Sequence, residues 1–256
     1  MTQKYFFCLI LSLLFQSLSY AQDHSLRIEY NSLMRIVQES PTPYQAQLTL
    51  QIDGNQSLFY QKNDTLESMF KGHPPIIRVH PQMIKKNFPQ DGVLTFKDEL
   101  SRIPFYYTEP IPNFDWDLLE EDSLICEYPC KKAKTTFRGR TWIVWYTEEI
   151  PISDGPWKLC GLPGLILKAI DSKGDFSFSA YKITHQPSDK NVKFSLKNYK
   201  KTTPQQYAKD VVAYRKDREG WEESVTGKRQ PVVIMDGKRY KSPSETACLM
   251  EYFDEE

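Results

Sequence analysis

The residues of this chain that could do chemistry are few and scattered. Histidine stands at positions 24, 73, 80 and 185. No two of these are spaced i, i+4, and no HExxH motif occurs, so the pattern of a helical zinc pair is missing. His73 and His80 share a proline-rich stretch and read as surface loop residues rather than joint metal ligands. There is no G-x-S-x-G nucleophile elbow and no G-x-x-x-x-G-K-[ST] phosphate loop. Glu148, Glu149, Asp154 and Asp171 bracket one apolar stretch and are the carboxylates from which an acid/base pair would be drawn. Nothing in their spacing forces two of them together. The principal expectation is therefore a non-catalytic binding or accessory module, with no cofactor and no metal. The alternative is a secreted hydrolase using Asp154, Glu148 or His185, and a thiol- or metal-handling role stands behind it.

The cysteines are read through the compartment. Residues 1–21 carry one charge, Lys4, then an apolar run and the small residues Ser19 and Ala21, which is the form of a cleaved secretory signal. The run is short for a membrane span, which needs about 20 apolar residues. Four cysteines follow the signal: Cys126, Cys130, Cys160 and Cys248. In an oxidising compartment they are disulfide candidates with three possible pairings. A Cys130–Cys160 bridge would close a loop worth roughly 3 to 4 kcal/mol in the chain-entropy model, leaving Cys126 and Cys248 to each other. Cys126 and Cys130 lack the two-residue spacing of redox or zinc motifs.

Charge excludes other classes. The whole chain holds 33 basic and 33 acidic residues, and losing Lys4 with the signal leaves 32 − 33 = −1. That is no footprint for nucleic acid or an anionic membrane.

The elements that would position these residues are mostly strands. Alternation of apolar and polar residues marks 25–37 and, most cleanly, 45–52, with a hairpin turn at Asp53-Gly54-Asn55 leading into 57–61. Residues 63–90 carry several prolines and read as a loop with a short extended piece at 76–79. Strands are expected at 92–97, 103–108, 133–137, 141–147, 165–170 and 175–183, and a last hairpin at 232–240. The acidic stretch around Trp116 reads as a surface strand or loop. One helix is signalled clearly: Thr203 as N-cap, Pro204 at the first helical position, and Gly220 as its end. The fold class is thus mainly β with some α (α+β): an antiparallel sheet with one or two helices packed on it. Residues 22–253 form one domain, organised around 130–183.

Both faces of the strand at 141–147 are apolar, since Trp142 and Val144 must point opposite to Ile143 and Trp145. The second face needs a cover, and this makes Trp145, Tyr146 and Trp157, flanked by Arg138 and Arg140, the candidate binding residues, expected on a concave and partly exposed surface. Gly155-Pro156 and Gly161-Leu162-Pro163-Gly164-Leu165-Ile166 read as rigid joints, the second as a type II turn with Pro163 at i+1 and Gly164 at i+2.

At that hexapeptide the chain resembles the GLPGLI family of secreted Bacteroidetes proteins. The resemblance rests on an ordered series: Cys130, Lys131-Lys132-Ala133, Phe137-Arg138-Gly139-Arg140, Trp145-Tyr146-Thr147, Ile150-Pro151, Gly155-Pro156-Trp157-Lys158, GLPGLIL and Asp171. It implies a curved antiparallel sheet or half-barrel as fold, the periplasm or outer envelope as location, and the company of a TonB-dependent receptor; the covered second face of the 141–147 strand adds an envelope protein or a small apolar or peptidic ligand as the expected partner. The resemblance implies no established activity.

Overall fold

The computed structural model describes residues 25–61, 82–87, 92–186, 192, 194–228, 233–235, 238–240 and 244–253. The expected signal segment, His24, His73, His80, the piece at 76–79, Val232 and the acidic tail at 254–256 lie outside them.

Strands dominate. In chain order they are β1 (Ser25–Met34), β2 (Tyr44–Asp53), β3 (Gln56–Gln61), β4 (Met83–Asn87), β5 (Val93–Leu100), β6 (Ile103–Pro110), β7 (Asp117–Ile125), β8 (Tyr128–Phe137), β9 (Arg140–Thr147), β10 (Leu165–Asp171), β11 (Phe176–Gln186) and β12 (Lys200–Lys201). They make one open, curved sheet in the order β12-β6-β5-β4-β3-β2-β1-β11-β10-β9-β8-β7. Every pairing is antiparallel except that of β12 with β6. A separate hairpin pairs β13 (Val233–Met235) with β14 (Lys238–Tyr240). The mainly-β, curved-sheet expectation therefore holds.

Three local expectations change. β4 lies inside a stretch read as loop, because Pro81 and Pro89 flank it instead of interrupting it, and it pairs on both sides with β3 and β5. The single helix is two: α1 (Pro204–Lys216) and α2 (Arg218–Thr226), with Asp217 capping the second through the amide of Gly220. Gly220 thus sits in the first turn of α2 and ends nothing. The four described cysteines are free thiols, so neither the Cys130–Cys160 nor the Cys126–Cys248 bridge forms. Each sulfur is used locally: Cys126 faces the Ala180 carbonyl, Cys130 that of Tyr128, Cys160 that of Pro112, and Cys248 meets the Arg140 guanidinium. Cys130, Cys160 and Cys248 act as small apolar core residues.

The core lies on the inner face of the sheet, the face crossed by the β9–β10 connection, residues 148–164. Aromatic rings run across it in edge-to-face and tilted pairs: Tyr30 with Phe59 at 6.2 Å, Phe59 with Phe178 at 5.9 Å, and Trp142 with Trp157 at 5.3 Å. Such pairs are worth about 0.5–1.5 kcal/mol each beyond their buried area. A second, smaller cluster of Leu100, Phe105 and Trp221 seats α1 and α2 on β5 and β6.

Candidate functional site

The β9–β10 connection is tied to the sheet by buried charges. Lys86 of β4, reaching inward, pairs with Asp154 and donates to the Gly155 carbonyl at 2.9 Å. Lys158, fully buried, donates to Glu109 of β6 at 2.6 Å and to the Tyr107 hydroxyl at 3.1 Å. Buried cations cost several kcal/mol to desolvate and persist only when matched in this way. The GLPGLI segment closes the crossing. Its turn is not type II, for Gly164 does not adopt the positive φ that position i+2 demands. Glycine is needed there for closeness instead: a Cβ on Gly164 would land inside the Thr147 carbonyl, and one on Gly155 would meet Ile166 Cβ at 2.7 Å. The expected joints are real, but they work by backbone contact.

A third piece joins them. Residues 246–253 run back over the inner face as a strap. It is tied by a bridge between Val37 and Ala247, by the Cys248 amide donating to Ile36, and by the Tyr252 amide donating to the Arg138 carbonyl at 2.8 Å. Glu251 of the strap accepts from Lys158 through both oxygens, at 2.8 and 2.7 Å, and from Arg138 at 2.5 Å. Arg138 also donates to Glu109 at 2.5 Å. Burial pushes the Glu109 carboxyl upward, but Lys158 and Arg138 outweigh it and hold the group below its ordinary range. Arg140 forms a separate knot with Asp171 at 2.5 Å, Asp175 at 3.1 Å and the Leu249 carbonyl at 2.6 Å.

Between the inner face, α1 and the strap lies a cavity of about 460 Å³. Phe96, Tyr107 and Trp157 wall it from the sheet side, Tyr207 from α1, and Met250 and Phe253 from the strap. Phe96 and Tyr107 stack at 4.6 Å, and Tyr207 meets Phe96 edge-on at 5.1 Å while its hydroxyl donates to Asp98 at 2.7 Å. The lining is therefore mainly apolar and aromatic, with Asp98, Glu99, Arg215 and Glu251 as its charged members; the Lys158, Arg138 and Glu109 groups stand behind Glu251.

The candidate binding residues are not brought together. Tyr146 is 1% exposed and Trp157 2%, both within the inner core, though Trp157 also reaches the cavity wall. Trp145 lies on the opposite face, half-buried, with the Lys168 and Lys132 ammonium groups 4.5 and 5.2 Å from its ring. Arg138 and Arg140 point to the strap. The candidate acid/base groups are also dispersed: Asp154 is buried against Lys86, Glu148 sits on the surface beside Lys131, and His185 is exposed on β11. Among the described residues no cluster of His, Cys, Asp and Glu is arranged to hold a metal, and no helix is long and apolar enough to cross a membrane. Sequence reasoning missed Lys86, Lys158, Glu109 and Glu251. Their only signal was charge at inward positions of strands and turns.

Comparison with known proteins adds a family match over residues 100–216. It is to the N-glycanase peptide, N-terminal domain. Those residues carry β6 to β12, the Lys158–Glu109 pair and α1. Two solved structures of PNGF-II, in C2 and P21 crystal forms, share the fold with a TM-score of 0.53 each, at 14% and 16% identity. The alignments cover 75% and 73% of this chain, and the chain spans about a third, 33%, of the length of PNGF-II. No curated protein matches the chain in sequence.

Proposed function

We propose that the chain is a non-catalytic binding or accessory module of the bacterial cell envelope, which takes an apolar or peptidic segment into the cavity between the inner sheet face, α1 and the strap. One observation carries this reading: the cavity walls are mainly aromatic and aliphatic, and of the charged groups that line it Glu251 is engaged by Lys158 and Arg138, Asp98 by the Tyr207 hydroxyl and Arg215 by Glu245. Such a site can hold a ligand but offers no poised acid, base or nucleophile. The envelope location rests on the secretory form of residues 1–21 and on the GLPGLI resemblance, which also supports a partnership with an outer-membrane receptor. A second reading, an accessory role beside glycan chemistry, is favoured by the match of residues 100–216 to an N-glycanase N-terminal domain. In the two together, this module would hold the peptide part of a glycosylated chain.

The test is an array of peptides in plain and N-glycosylated form, probed with the wild-type protein and with Ala208→Trp, which fills the cavity from α1. Binding to both forms, lost at least tenfold in Ala208→Trp, is expected. Binding that needs the sugar and ignores Ala208→Trp favours the glycan reading instead. Any change in mass of the arrayed compounds overturns the non-catalytic role.

A further inference from the structure

Glu251 lines the cavity, and the charges gathered behind it balance only because the strap is there. Lys158 and Arg138 contribute two positive charges, Glu109 one negative, and Glu251 the second negative. Without the strap the pocket would keep two cations and one carboxylate, a net +1 around a fully buried ammonium group. A buried uncompensated charge costs several kcal/mol, so the vacated pocket demands one carboxylate in return.

The receiving groups and the strap differ in how firmly they are held. Lys158 is packed among the Trp157, Tyr107 and Phe96 rings, and Tyr107 is an inner residue of β6. Arg138 is fixed in the β8–β9 turn and lies over the Phe137 ring at 4.8 Å and the Phe253 ring at 4.8 Å. The strap is held by no continuous strand pairing: one bridge at Val37–Ala247, backbone hydrogen bonds at Gln38, Cys248 and Tyr252, and Arg140 on the Leu249 carbonyl tie it down, and Leu249 to Phe253 each keep part of their surface exposed.

We propose that Lys158, Arg138 and Tyr107 form a carboxylate-binding pocket that Glu251 fills in cis, and that a partner's extended segment of like chemistry takes its place. That segment would carry a Glu or Asp followed two residues later by an aromatic ring, matching Glu251 and Phe253. This deepens the function proposed above and rests on it, since it names what the cavity takes and makes the strap its internal competitor. Local affinity is low while the strap is docked, because a tethered competitor acts at high effective concentration.

The probe is a fluorescent peptide of residues 246–253, and the proteins are the full wild-type chain and the full chain with Glu251→Gln and Phe253→Ala. The double variant is expected to bind at least tenfold more tightly than wild type, and a Glu251→Gln peptide to lose at least tenfold. A folded double variant that binds no better overturns the proposal, as does a dimer formed by exchanging straps between copies. If the double variant fails to fold, hydrogen exchange on the wild type decides. Amides of Cys248 and Tyr252 exchanging at least a hundredfold faster than those of β1 and β9 support a releasable strap, and equal rates overturn it. Failure here with Ala208→Trp-sensitive binding on the array leaves the binding module standing and removes only the carboxylate pocket.

Discussion

Replacing Lys158 by Met tests whether the buried cluster holds the crossing segment and strap to the sheet. Lys158 has no exposed surface and donates to Glu109, Glu251 and Tyr107 at 2.6 to 3.1 Å. Met fills most of the volume, so the loss is electrostatic: a carboxylate on β6 and another on the strap are left with Arg138 alone. Removing one partner of a buried pair costs about 3–5 kcal/mol, and the surviving Arg138 contacts place the loss near about 3. For a domain of this size that is a fall in melting temperature of about 6–12 °C. The pH dependence gives a second axis. Glu109 is held below its ordinary pKa in the folded protein, so it contributes stability above its unfolded value of about 4.3 and loses it as pH falls through the folded value. Without Lys158 burial is less opposed and that contribution shrinks. The gap between wild type and Lys158→Met should therefore be full at pH 7 and close below about pH 4. Scanning calorimetry at both pH values reads it. A melting temperature within 2 °C of wild type at pH 7, or a gap that widens in acid, would refute the cluster's role.

Other outcomes follow from single contacts. Gly164→Ala should lower the urea midpoint by the equivalent of about 3 kcal/mol, since its Cβ meets the Thr147 carbonyl, whereas Gly54→Ala, in open space at φ +55°, should cost about 1–2. Burial pushes the Cys130 and Cys160 thiols up to about 11. At pH 8 both should resist iodoacetamide in the native protein, yet react on denaturation without reductant; a need for reductant would restore the disulfides. Thr203→Ala removes the hydroxyl that accepts from the Gln206 amide at 3.1 Å and should cost about 1 kcal/mol by chemical denaturation.

The sheet was legible wherever side chains alternated or a glycine marked the turn. The β2–β3 and β8–β9 hairpins turn on Gly54 and Gly139, both at positive φ, the first within the turn expected at 53–55 and the second between the strands expected at 133–137 and 141–147. The β5–β6 and β7–β8 hairpins turn on Ser101-Arg102 and Cys126-Glu127, which adopt the same left-handed conformation without glycine, so composition gave no mark of their exact place. β4 was hidden by its prolines and by Lys85 and Lys86, which read as solvated until Asp154 is seen to receive one of them. The site was less legible than the fold. Trp157 and Arg138 were singled out as exposed binders; Trp157 lines the cavity from within the core, and Arg138 joins the ion-pair cluster behind Glu251. What sequence cannot reveal is pairing at long range: Glu109, Lys158 and Glu251 come from β6, the crossing and the strap, and no spacing rule connects them.

The central claim, a ligand-accepting cavity under the strap, is tested most directly by methyl NMR. Met34 and Met250 line the cavity, while Met83, buried in β4, does not. Titrating the peptide of residues 246–253, and the best array peptide, into protein carrying ¹³C-methyl methionine should shift Met34 and Met250 and leave Met83 in place. Unmoved Met34 and Met250 signals at saturating peptide, or equal movement of all three, would contradict the account.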